Sequence, residues 1–138
     1  MASEAQFLNR SLEELDVRQV TVADGTGIAK GALLILSSDP NTATAHSAQL
    51  QVPIGIATSE KVASDGATVL GAMVRGDVDM VAQAAITLGD LVMPGGVANQ
   101  VIGIPTSTLS GTDLRFILGR CMETASAGER VRIRLMLG

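Results

Sequence analysis

From Val17 to the C-terminus, short runs of β-branched and aliphatic residues alternate with glycine or proline at brief intervals. This is the texture of strands joined by turns. Candidate strands are Val17 to Val22, Leu33 to Leu36, Ile54 to Ala57, Thr68 to Val74, Val78 to Ala82, Leu91 to Met93, Val101 to Ile104 and Phe116 to Met122. Turn residues separate them at Asp24-Gly25, Asp39-Pro40-Asn41, Asp65-Gly66, Pro94-Gly95-Gly96, Ser110-Gly111 and Ala127-Gly128. The clearest alternation closes the chain, with Arg130, Arg132 and Arg134 on one face of a final strand and Val131, Ile133 and Leu135 on the other. The pattern predicts an all-β fold, a small β-barrel or β-sandwich of about eight or nine short strands.

Residues 1–16 read differently. Phe7, Leu8, Leu12 and Leu15 recur at helical spacing, and Ser11 followed by Glu14 resembles a capping box. The segment is expected to be a short helix, an arm that orders on a partner, or a terminus without a role, ahead of a β domain over 17–138. A chain of 138 residues suits one domain with a single hydrophobic core. Its only aromatics are Phe7 and Phe116, so that core is aliphatic and oligomerisation would add burial.

A fainter echo runs through the chain. Gly31-Ala32-Leu33-Leu34, Gly55-Ile56-Ala57 and Asp65-Gly66 recur as Gly89-Asp90-Leu91-Val92, Gly119-Arg120-Cys121 and Ala127-Gly128. The matching positions are few, and duplication and coincidence both remain open.

A net charge of −4 and a pI near 4.8 argue against direct binding of nucleic acid, which relies on neutralising phosphates. No stretch reaches the length of a membrane span and the N-terminus lacks a secretory pattern, so a soluble, unexported chain is expected. Cys121 is the only cysteine and has no intrachain disulfide partner.

The sequence carries no pattern of a catalytic, cofactor or metal site. His46, the only histidine, lies in a polar stretch and is expected to be exposed, with no nucleophile pattern to pair with. Cys121 is expected to be a small buried residue of a strand. Two Cys or His residues fall short of a structural zinc site, and Asp77 with Asp79 falls short of a calcium shell, so the two carboxylates read as a solvated acidic edge. The glycines at 25, 27 and 31 fit no phosphate-binding motif. Gly71-Ala72-Met73-Val74 has the look of a biotinyl carrier turn, but valine stands where the acylated lysine belongs.

The order of Gly31 to Leu36, Pro53-Ile54-Gly55-Ile56-Ala57, Gly89-Asp90-Leu91-Val92, the glycine strand after Phe116 and the closing Gly128 to Leu135 resembles the capsid decoration (cement) proteins of tailed bacteriophages over about residues 20–137. The N-terminal extension and Met93, at a place where an aromatic is frequent, depart from that pattern. The resemblance implies a non-enzymatic virion protein, often a homotrimer, on the outer surface of the expanded shell. There it would bridge major capsid protein subunits against the pressure of packaged DNA. Candidate capsid contacts are Phe7, Leu8, Leu12 and Leu15 of the arm and Arg130, Arg132 and Arg134 of the last strand, the arginines alternatively being only solvated. The competing reading is a carbohydrate- or small-molecule-binding β module on the virion or standing alone; the lack of Trp and Tyr weighs against a sugar platform.

Overall fold

The computed structural model describes residues 3–7, 16–104, 111 and 113–137. Among them the fold is all-β, with ten strands in one hydrogen-bonded sheet. The strands are β1 (Gln6–Phe7), β2 (Asp16–Thr21), β3 (Leu33–Leu36), β4 (Ala43–Ala45), β5 (Pro53–Ala57), β6 (Val69–Ala82), β7 (Leu91–Pro94), β8 (Gln100–Ile104), β9 (Gly119–Cys121) and β10 (Arg130–Met136). A 3-10 turn, Asp113–Phe116, occupies the start of the expected strand from Phe116 to Met122, which is confined to β9.

The long strand β6 organises everything else. The expected strands Thr68 to Val74 and Val78 to Ala82 are continuous through it, because Gly76 adopts a φ of 123°, a bend open to a residue without Cβ. Its C-terminal half starts a closed five-stranded barrel. β6 pairs antiparallel with β10, β10 with β9, β9 with β7 and β7 with β8. β8 then returns to β6 in parallel through Val81–Gln100 and Ala82–Val101.

The first half of the chain makes the same connections in the same order. β2 pairs with β6, β6 with β5, β5 with β3 and β3 with β4, all antiparallel, and a single parallel bridge from Thr21 to Thr42 completes the circuit. β6 is therefore both the last strand of a first unit and the first strand of a second. The correspondence extends to residues: the bridge Ile28–Lys61 matches Ile86–Ala125, Gly31 and Gly89 have φ of 85° and 90°, and Asn41 and Asn99 have φ of 49° and 63°. All three pairs leading with Ile28, Gly31 and Asn41 differ by 58 positions (86 − 28, 89 − 31, 99 − 41). The faint echo in the sequence is thus a repeated structure.

The expected single core is divided instead. Val20, Val22, Leu34, Ala57, Leu70 and Ala72 are among the side chains filling the first unit. Met80, Ala82, Val92, Val101, Val131 and Ile133 are among those filling the second. Met93, Ile104 and Phe116 form a third cluster with the half-buried Val52, Ile102 and Ile117. A small barrel can enclose only the inward alternates of its own strands, so two barrels on one shared strand have two interiors. With each buried Leu, Ile or Val contributing roughly 1.5–3 kcal/mol, these largely aliphatic clusters supply the main drive to fold, Phe116 being the one aromatic ring in them.

Candidate partner-binding face

The outward alternates of β10 place Arg132 and Arg134 on an exposed face. Arg134 lies directly opposite Asp77 on β6, and Arg132 opposite Asp79, so the arginine face and the acidic edge read from the sequence are two sides of one ladder. Arg134 donates from Nε and Nη2 to the two Asp77 carboxylate oxygens at 2.9 and 3.2 Å. That hydrogen-bonded guanidinium holds the Asp77 carboxyl below the ordinary carboxylate range despite partial burial. Arg130 is half-buried and turns inward, donating from Nη1 to the carbonyls of Glu4 at 3.2 Å and Asp79 at 3.3 Å. Arg132 is exposed, and its backbone N–H donates to Glu123 Oε1 at 2.9 Å.

A fourth arginine belongs to this face. Arg120 on β9 is exposed and lies directly opposite Arg134. Like charges opposite one another are unfavourable, and the Asp77 carboxylate on the far side of Arg134 offsets part of the repulsion. The alternation Gly119-Arg120-Cys121, with cysteine turned inward, was the available signal for it.

The beginning of the arm is strand rather than helix. Gln6 lies opposite Asp79 and Phe7 opposite Val78 on β6. Ala5 N–H donates to the Gly31 carbonyl, and the Ser3 hydroxyl accepts from Gln100 Nε2 at 3.2 Å, so this segment touches both units. The Phe7 side chain and the candidates Leu8, Leu12 and Leu15 lie outside the described residues.

His46, Cys121 and Lys61 are built into the scaffold. His46, expected to be exposed, is only 2% exposed. Its Nδ1 accepts from the Asn99 N–H at 3.0 Å, which leaves Nε2 to donate to the Gly95 carbonyl at 2.7 Å. The polar neighbours Asn41, Thr44 and Ser47 are exposed, whereas His46 takes the place of the buried Ile104 of the second unit. Cys121 is buried, and that burial pushes its thiol pKa up, the opposite of an activated nucleophile.

Lys61 carries no sequence signal beyond its charge. It is 2% exposed and donates from Nζ to Asp65 Oδ1 at 2.6 Å, Val62 O at 2.7 Å, and Asp24 O and Oδ1 at 2.9 and 3.0 Å. Burial works against its charge, but hydrogen bonds and attraction from Asp65 and Asp24 outweigh this and hold its pKa above the ordinary 10.5. The same bond from Lys61, helped by backbone N–H groups, holds Asp65 below 3.8. Among the described residues no group of three or more His, Cys, Asp or Glu side chains is placed to hold a metal ion, and no helix is long and apolar enough to cross a membrane.

Fold and face together define a class: a small all-β protein of two barrels on one shared strand, with a charged ladder along its outer surface. No protein-family model matches the chain, and no curated protein matches it. Its fold is similar to a solved structure, the head fiber gp8.5 N base in bacteriophage phi29, at 13% identity and a TM-score of 0.55, over 90% of this chain and 96% of that one. At that identity the likeness is one of fold.

Proposed function

We propose that this protein is a non-enzymatic structural component of a phage virion, seated on the outer surface of the expanded head as a decoration protein. The observation that carries the reading is the shared fold with a phage head fiber base across nearly the whole of both chains. The order of glycine and aliphatic segments that resembles capsid cement proteins supports it independently.

In this reading each protomer bridges neighbouring major capsid protein subunits. Binding only the expanded lattice stabilises that lattice by mass action. A homotrimer engaging several lattice sites gains further through effective concentration, so individual contacts need not be strong. The arm residues Phe7, Leu8, Leu12 and Leu15 and the arginine face around Arg132 are the contact candidates.

Cosedimentation of the purified protein with undecorated expanded heads and with unexpanded procapsids of the matching phage tests the reading. Saturable binding to expanded heads is expected. Absence of binding to either particle overturns it and turns attention to a ligand-binding β module.

A further inference from the structure

Two long stretches of the chain, residues 40–59 and 91–112, contain no Asp, Glu, Lys or Arg, so every charged residue lies in the remainder. The fold brings these stretches together where the two units join. His46 from the first is bonded to Gly95 and Asn99 of the second, as described above. A Cβ added to Gly96 would lie 3.8 Å from Gln49 Cγ, and Val52 packs with Met93 and Ile102. The loop over 47–52 and the turn over 95–99 therefore adjoin, and neither carries a charge.

Leu50 stands out on that loop. It is 70% exposed, the most exposed large apolar side chain among the described residues, and its φ is 61°. The other non-glycine residues with left-handed φ are the short and polar Asn41, Ser64 and Asn99, whereas the backbone there crowds the Cβ of a bulky residue. Leucine is thus disfavoured twice, by its backbone angle and by its exposure to water. The loop nevertheless holds it there: Gln51 Oε1 accepts from the N–H groups of Ser47 and Ala48 at 3.0 and 3.1 Å, and Gln51 Nε2 donates to Ser47 Oγ at 3.3 Å. Strain kept in place by side-chain hydrogen bonds is characteristic of positions that act on a partner. In the adjoining turn Gln83 Oε1 accepts from the N–H groups of Gly96 and Val97 at 2.7 and 3.3 Å, which fixes Val97, 46% exposed. At the other end of the loop Leu36, 44% exposed, donates its N–H to the Val52 carbonyl.

We propose that Leu50 is the anchor of an interface with a second copy of this chain, with Val97 and Leu36 completing the apolar contact. Each copy carries a net charge of −4, so copies repel one another over most of their surface, and an uncharged face is where they can approach. The cores of interfaces are depleted in charge, and those between like subunits are the more apolar. Closed rotational symmetry around this face sets Leu50 of one copy against the uncharged loops of the next, which buries the side chain that the loop holds in water. Leu88, 62% exposed, lies instead in a turn with Asp90, whose Oδ2 accepts from Thr87 N–H at 3.1 Å, and has no part in this face. The number of copies rests on the proposed function; the face does not.

The test is sedimentation velocity of the purified full chain over a wide range of concentration, with no phage particle present. Self-association is expected. Leu50→Asn puts a residue that accepts left-handed φ in place of the leucine; it should leave the monomer at least as resistant to heat and weaken association about tenfold. A Leu50 that serves only the fold would instead melt earlier when replaced. Leu88→Asn, which removes an equally exposed leucine elsewhere, should associate as the unaltered chain does. A chain that stays monomeric throughout, a Leu50→Asn variant that associates undiminished, or a Leu88→Asn variant weakened as much each overturn the proposal. A monomeric chain whose binding to expanded heads is lost in Leu50→Asn also overturns it and gives the face to a capsid subunit. Association is measured on the protein alone, so its failure is distinct from a failure to bind phage heads.

Discussion

The two units have the same strand order but place their polar groups in opposite ways. The first closes its end with ions, Lys61 held between Asp24 and Asp65, and presents an aliphatic outer row of Leu33, Ile56 and Met73. In the second, buried Ala125 takes the place of Lys61, and the outer row carries Arg120 and Arg134. The first row has the rest of the molecule against it, whereas Arg120 and Arg134 of the second are exposed. Backbone pairing is indifferent to what the outward alternates carry. Those positions therefore record where each unit meets protein and where it meets solvent or a partner.

The largest effects should come from the two interiors. Leu34→Ala and Ile133→Ala, each at a fully buried position, should cost about 2–5 kcal/mol, read from urea unfolding. Because β6 belongs to both units, each variant should still unfold in one transition seen alike by all probes. Two separated transitions would show that the units are independent bodies and break the comparison.

Gly119→Ala comes next. A Cβ there would run into the backbone of Arg134 and Leu135, which cannot move aside without opening the β9–β10 ladder. A loss near about 3 kcal/mol is expected, with the damage concentrated in the second unit by hydrogen exchange.

Smaller, and aimed at the join between the units, is His46→Ala. It removes the imidazole between the Asn99 N–H and the Gly95 carbonyl and should cost about 2 kcal/mol, measured by thermal unfolding. An unchanged melting temperature would mean that the join does not depend on this contact.

The mildest test is pH. Asp65 is held below 3.8, so the stability it contributes is complete above that value and is lost as the pH falls through its lower folded pKa. Lys61 is held above 10.5, so its contribution is complete below that value and is lost as the pH rises through its higher folded pKa. At either extreme the Ile28 and Lys61 amides should lose exchange protection before those of Ile86 and Ala125, which have no ionic partner in the matching bridge. Simultaneous loss in both units would remove the distinction between their ends.

Much of the architecture was legible beforehand because strands and turns leave local marks. The apolar run Leu33 to Leu36, between Gly31 and the Asp39-Pro40-Asn41 turn, is β3, and the alternation Arg130 to Leu135 is the in-out pattern of β10. β4 leaves no clear mark in the sequence because Ala43-Thr44-Ala45 has no large apolar side chain; its place is fixed by pairing with β3. The gap between the expected strands Thr68 to Val74 and Val78 to Ala82 is filled by continuous strand, with a bend at Gly76. The arginine face was read correctly as a face, but its partners Asp77 and Asp79 were assigned to a separate edge, since nothing local says that β6 and β10 are neighbours.

By itself the sequence determined the all-β class, the aliphatic character of the interior, the positions of most turns and the alternation of the last strand. Each follows from the conformational limits of a few adjacent residues. Only the tertiary structure decided that one strand serves two barrels, that His46 and Lys61 are buried, and that equivalent rows are apolar in one unit and charged in the other. Those outcomes depend on long-range pairing, where segments tens of residues apart determine one another's register and exposure, and no local pattern specifies which partner a strand edge will meet.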